Sequence, residues 1–372
     1  MMNNIMYFLS IVPPLFILYI VFYFMQSLTS KKIFYGVSIE SKYINDERLK
    51  LLDKKFKRLL TLGFLVILCL TLVFIFILDK AYFASMFSII SIIIYQGIIY
   101  VKINKEVKLV KNELLDLAEK NSQNSPSKAI IDVKFIGQRD ALLKKFKIIY
   151  SLPIIIILLG CVYTFTKYPS IPDMIPHHWN SYGKADSFVE KSYLNLVFYI
   201  GIQLFTVILI ALISISSMKS RVKIDTANVE KSRIDNIKYL NKIGYSFLFL
   251  MISTVLLLTN TLIATVNGPD LNTFVMNLSM TIMILSTLFL TITFVKSPNS
   301  KSTSSYTPED EDKYWIWGSI YNNPNDPSFM VQKRFGIGWT INIATPLGKI
   351  FIIVTILILL ACIVGSFSEL FS

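Results

Sequence analysis

Eight uncharged apolar runs, each of about 20 residues, constrain this chain more than any other feature. They are Ile5–Met25, Leu59–Leu78, Ala81–Tyr100, Ile148–Thr166, Tyr193–Ser216, Ile243–Val266, Leu271–Val295 and Ile350–Ser368. In hydrocarbon every backbone N–H and C=O must be paired within the segment, so such runs are expected to be helices. They are too long and too uniformly apolar for barrel strands. The composition agrees: 53% of the residues are hydrophobic and the mean hydropathy is +0.57. The expected fold is an all-α polytopic membrane protein with eight transmembrane helices. Asp79-Lys80 and Asn267-Gly-Pro-Asp270 make two of the connections very short.

The basic residues orient these spans. Segments 27–58, 102–147, 217–242 and 296–349 carry 9, 11, 7 and 6 Lys and Arg, which is 33 of the chain's 37. Such an asymmetry predicts that these segments are cytoplasmic and that both termini lie outside, in a multi-pass membrane protein. The first run has no Lys or Arg before it and Lys31-Lys32 after it, the wrong polarity for a cleaved signal peptide. The net charge of +13 then reflects topology and contact with anionic lipid. No direct nucleic-acid partner is expected. The resulting division is 1–147, helices one to three with basic loops; 148–216, helices four and five with an outer loop at 168–192; 217–295, helices six and seven; 296–349, a turn-rich cytoplasmic module of mixed α/β character; and 350–372, helix eight.

The apolar runs also exclude. None carries an ionisable side chain at its middle, where ion-coupled transporters and proton pumps generally need one. Gln96 and Asn260 are expected to bond neighbouring helices, and Pro13-Pro14 and Pro153 to kink the first and fourth helices. Cys69, Cys161 and Cys362 all fall inside apolar runs, without CxxC spacing, and imply neither disulfide nor zinc. No cofactor is expected. Between the spans, Ile33–Ile39 reads as a strand and Asn45–Lys57 as a charged helix. Ile103, Val107, Val110, Leu114 and Leu117 form one helical stripe continuing the third span. Residues 121–126 read as a linker and 128–135 as a weakly alternating strand.

The outer loop is dense in Pro, His, Trp, Asn and Asp and holds both histidines of the chain. Asp173, His178, Asp186 and Glu190 carry side chains suited to acid–base work or metal ligation. Neighbouring His177 and His178 point to opposite faces of an extended chain and so do not readily share one metal. Without a recognisable reaction motif, the loop reads as a built structure, with Asn180 and Asp186 capping turns and Trp179 anchored at the interface; no metal site is expected. In the last cytoplasmic segment, Thr307 before Glu309–Asp312 reads as a helix start, and Asn323-Pro324-Asn325-Asp326-Pro327 as turn chemistry. Phe329–Val331 and Trp339–Ile343 read as short strands around Gly336 and Gly338. Trp315, Trp317, Tyr321 and Trp339 suit the headgroup layer.

Two strings carry a resemblance. Ile175-Pro176-x-His178-Trp179-Asn180-x-x-Gly183-x-x-Asp186, with Lys191-Ser192 after it, resembles the signature of an uncharacterised domain that opens the SdpI-like bacterial membrane proteins. Tyr314-Trp315-x-x-Gly318, Asn323-Pro324-x-Asp326-Pro327 and Val331-x-Lys333-Arg334-x-Gly336-x-Gly338-Trp339-Thr340-x-Asn342 resemble a second uncharacterised domain often joined to the first. The candidate site residues are His178, Trp179, Asn180, Gly183, Asp186 and Lys191 of the first string, and Trp315, Trp317, Gly318, Asn323, Pro324, Asp326, Pro327, Lys333, Arg334, Gly336, Gly338, Trp339 and Asn342 of the second segment. The resemblance implies immunity or signalling against a secreted killing-factor peptide. The function expected is therefore a non-enzymatic sensor or immunity protein, with a secreted peptide outside and a regulator inside. A transporter or permease component for a peptide or lipid is the alternative, and a hydrolase using His178 a distant third. Oligomeric state is not legible.

Overall fold

The computed structural model describes residues 2–29, 32–40, 42–119, 132–180, 182–220, 222, 224, 228–298, 312–336 and 338–370. Among them seven helices are long and apolar enough to cross a membrane. The chain divides into two compact units: residues 1–129 with 305–372, and residues 130–304.

The first unit holds α1 (Met2–Phe24), the hairpin strands β1 (Ile33–Phe34) and β2 (Val37–Ser38), α2 (Glu47–Phe76) and α3 (Ala81–Glu119). Short strands β5 (Trp315–Ile316), β6 (Ile320–Tyr321), β7 (Met330–Gln332) and β8 (Trp339–Ile341) follow, then α9 (Pro346–Leu370). The second unit holds α4 (Val133–Ile149), α5 (Leu152–Thr166), β3 (Met174–Trp179), β4 (Ala185–Glu190), α6 (Tyr193–Lys219), α7 (Val229–Asn267) and α8 (Thr273–Val295). All strand pairs are antiparallel hairpins.

Helix starts follow local capping chemistry. The side chains of Asp46, Asp132, Ser192, Asn228 and Asn272 each accept a hydrogen bond from a first-turn N–H. Each such cap stabilises its helix by about 1 kcal/mol. Asp132 also explains a departure from expectation. The alternation over 128–135 predicts a strand, but Val133–Phe135 form the first turn of α4, with Phe135 N–H bonded to Asp132 at 3.1 Å. Residues 128–131, the linker at 121–126 and Thr307–Glu311 lie outside the described residues. Pro153 sits in the first turn of α5, where its missing N–H costs nothing, so it opens a helix instead of kinking one. Pro13 and Pro14 lie within a continuous α1.

Ile33–Ile39 is a hairpin and not one strand. Tyr35 and Gly36 have φ of 44° and 79°, the left-handed pair that matches the twist of a two-residue hairpin. Tyr35 is fully buried, donates its hydroxyl to Asp53 at 2.9 Å, and packs against Phe56. Burial and the facing carboxylate push its phenol far above the ordinary range, so it remains a donor. The charged helix and second span merge into one α2, and α3 runs unbroken through the predicted stripe, with Ile103, Val107 and Leu114 buried. In the second unit, Asn260 exchanges two hydrogen bonds with the Asn272 backbone, at 3.0 and 3.1 Å. Gln203 bonds Leu258 O and Thr259 Oγ1, so both amides serve helix packing.

Candidate functional site

Two places concentrate the sequence-predicted residues, one in each unit. In the second unit β3 and β4 pair from Met174↔Glu190 to Trp179↔Ala185. The ladder shifts between Pro176 and His178, then shifts back between His178 and Trp179. His177 and Asp186 are therefore each an extra residue, one per strand. Compensating bulges of this kind re-aim side chains without changing the overall register.

The tip is built by Asn180 and Gly183. Asn180 Oδ1 accepts from the N–H groups of Tyr182 and Lys184, at 2.9 and 3.1 Å, and the two main-chain bonds between 180 and 183–184 close the turn. Gly183 has φ of 77°, and a Cβ there would stand 3.3 Å from Leu271 Cβ and from Met276 Sδ. The tip is clamped to the α7–α8 turn by three bonds. Trp179 Nε1 donates to Pro269 O at 2.7 Å, Leu271 N to Gly183 O at 2.8 Å, and Ala185 N to Asp270 Oδ1 at 3.2 Å. Trp179 packs on Ala264, Leu271 and Met276.

The foot is equally tied down. Lys191 Nζ donates to Ile171 O at 2.7 Å and lies 5.1 Å from the ring centre of Tyr168. Ile175 and Val189 pack beneath the hairpin on Ile171, Leu196 and Leu262. His177 meets Tyr199 Oη at 3.3 Å, and that hydroxyl donates to Pro176 O.

Trp179, Asn180, Gly183 and Lys191 are thus engaged in holding the hairpin. His178 and Asp186 are not: Nδ1 and Oδ1 lie 2.6 Å apart, with side chains 67% and 43% exposed. The carboxylate orients the imidazole and leaves its other nitrogen open to solvent. Such a pair can hydrogen-bond an incoming group or attract a cation. Asp173 and Glu190 do not join it in a ligand cluster: among the described residues no group of three or more His, Cys, Asp or Glu could hold a metal. Sequence reasoning missed Tyr199 and the clamp residues Pro269 and Asp270. The Gly-Pro-Asp spacing signalled a tight turn, but nothing in it signalled what the turn would grip.

In the first unit, residues 312–345 form a small module around Asn342. The Asn342 side chain donates to Asn323 O and Asp326 O and accepts from the N–H groups of Asn323 and Ala344. Tyr321 Oη donates to Asp326 Oδ2 at 3.1 Å and accepts from Asn323 Nδ2 at 3.0 Å. Asn323, Asp326 and Asn342 are buried, whereas Pro324 and Pro327 are exposed. Trp315 and Tyr321 are buried against each other and Val331, not spread on a headgroup layer. Arg334 is buried over the Trp315 ring and pairs with Asp312, which also binds Lys111 of α3 at 2.8 Å. Glycines seat the module. Gly318 abuts Gly36 and Asn104, and Gly336 donates its N–H to Thr29 Oγ1. Lys333 is exposed, Trp339 is half-buried in β8, and Gly338 accepts from Lys333 N.

The apolar helices and two polar modules describe a multi-pass membrane protein of the helical class. Two family models match it: a domain of unknown function, DUF1648, over residues 155–204, and a family of unknown function, DUF5808, over residues 324–349. The first spans the β3–β4 hairpin with parts of α5 and α6, and the second covers the part of the module from Pro324 to Thr345 and the start of α9. No curated protein and no solved structure matches the chain.

Proposed function

We propose that this chain is a non-enzymatic protein of a bacterial cytoplasmic membrane, a sensor or immunity protein that meets a secreted peptide outside and signals or sequesters inside. In this reading α9 is an eighth span, both termini face out, and the β3–β4 hairpin is extracellular. The distribution of 33 of 37 basic residues supports the orientation. The resemblance to SdpI-like proteins supports the immunity or sensing role. One observation carries the choice of site: on a hairpin fixed at tip and foot, the motif pair that remains exposed is His178–Asp186. A rigid scaffold presenting an unspent polar pair suits recognition.

The test is crosslinking from the hairpin. A photoreactive residue at Ser187, beside the pair in the ladder, should capture a peptide from the secreted small-peptide fraction of the producing culture. Capture should fall at least tenfold in His178→Ala and Asp186→Ala, with membrane levels unchanged. Equal capture in both variants would remove the pair from recognition. Vectorial uptake of the captured peptide by proteoliposomes would favour the permease reading instead.

A further inference from the structure

Two turns of the first unit place an aromatic residue before a glycine in the left-handed region. Tyr35 and Gly36 have φ of 44° and 79°, and Trp317 and Gly318 have 50° and 72°. A bulky residue is costly in that conformation and persists where its contacts compensate. Tyr35 shows such compensation, being fully buried and bonded to Asp53. Trp317 does not, because it is 46% exposed and its neighbour Ile316 is 37% exposed. The same module buries Trp315 to 5%. Two large apolar side chains at a strained turn are thus left without protein cover sufficient to explain them.

Their depth identifies the cover. A Cβ on Gly318 would stand 2.7 Å from Asn104 Nδ2. Asn104 lies one helical turn, about 6 Å, beyond Tyr100, where the third apolar run ends and Lys102 and Lys105 begin. Gly336 bonds Thr29, four residues past the end of the first apolar run. Asn342 lies four residues before Pro346, where α9 starts. All three markers set the module at the boundary between apolar helix and charged segment, the level that Trp prefers in a bilayer. We propose that Ile316 and Trp317 form a membrane-surface anchor, seated among lipid headgroups and upper acyl chains. The module then rests on lipid through its β5–β6 tip and on protein through Gly318 and Gly336. This inference does not depend on which side of the membrane the module faces, nor on the ligand of the hairpin.

The chain has four tryptophans, so the test isolates one by difference. Full-length protein and its Trp317→Phe variant are placed in nanodiscs of phosphatidylcholine and phosphatidylglycerol, with or without bromine at positions 6 and 7 of one acyl chain. The Trp317 component is the wild-type emission minus that of the variant. Trp317→Tyr must give the same difference spectrum, which guards against a folding defect in either variant. Brominated lipid should quench this component by at least half. Quenching below a quarter would overturn the anchor. In that outcome, strong quenching by aqueous iodide would show a solvent-facing turn, and none would show cover by protein, a second copy included.

Discussion

At Gly183 and Gly201 the same substitution has opposite expected signs. Gly183 is left-handed, and its α-side is closed by Leu271 and Met276. Gly201 lies within α6, and a Cβ there meets nothing within 4 Å. Gly183→Ala should destabilise by about 1–2 kcal/mol, through backbone strain and the tight contact. Gly201→Ala should stabilise by roughly 0.5–1 kcal/mol, because alanine loses less backbone entropy in a helix. Thermal unfolding in detergent reads both; a stabilised Gly183→Ala would mean that the tip rearranges readily. Asn180 and Asn342 share a logic: each is an amide that satisfies main-chain groups a turn cannot pair by itself.

At the scale of elements, the hairpin is a small sheet that cannot be stable alone. It is held by Ile175 and Val189 below and by the α7–α8 turn at its tip. Asp270→Ala removes one of the three tip bonds, worth about 0.5–1.5 kcal/mol, and should speed amide exchange at the tip roughly 2- to 10-fold. Exchange in α6 and α7 should not change. Faster exchange throughout both helices would show that the clamp supports the whole unit. The module at 312–345 is built on the same plan. Short strands are fastened by a buried Asn–Asp–Tyr network, and the ion cluster Lys111–Asp312–Arg334 fastens the module to α3.

At the scale of the molecule, each unit combines apolar helices with a polar, turn-rich module; one family model of unknown function covers the β3–β4 hairpin and another covers the module of the first unit from Pro324 onward. We propose from the basic residues that the β3–β4 hairpin is extracellular and that residues 296–349 are cytoplasmic. In a background with its three cysteines replaced, Tyr182→Cys should react with a membrane-impermeant maleimide on whole cells. Asn322→Cys should react only after permeabilisation. Both positions are exposed, so burial cannot imitate topology. The opposite pattern would invert the chain, and labelling of both sites on whole cells would break the proposed span count.

What the sequence determined by itself is what depends on composition and period. Long uncharged runs have one inexpensive backbone solution in hydrocarbon, so all eight expected runs lie on helices, seven of them long and apolar enough among the described residues to cross a membrane, and the stripe at Ile103–Leu117 lies on an unbroken α3. Turn chemistry was legible too: Asn323–Pro327 and Asn180–Gly183 are turns, and the strands around Gly336 and Gly338 are present. Short segments were less legible. Ile33–Ile39 became a hairpin because of its left-handed Tyr-Gly pair, and Val133–Phe135 became helical through the Asp132 cap. Only the tertiary structure could sort the motif residues into those that hold the fold and those left exposed. Trp179, Asn180, Gly183, Asn323, Asp326 and Asn342 gain their partners from residues distant in sequence or from main-chain groups that the turn brings together. His178 and Asp186 stand apart for a related reason: two compensating bulges bring their side chains together in solvent, and a register shift of that kind is set by the pairing of two strands.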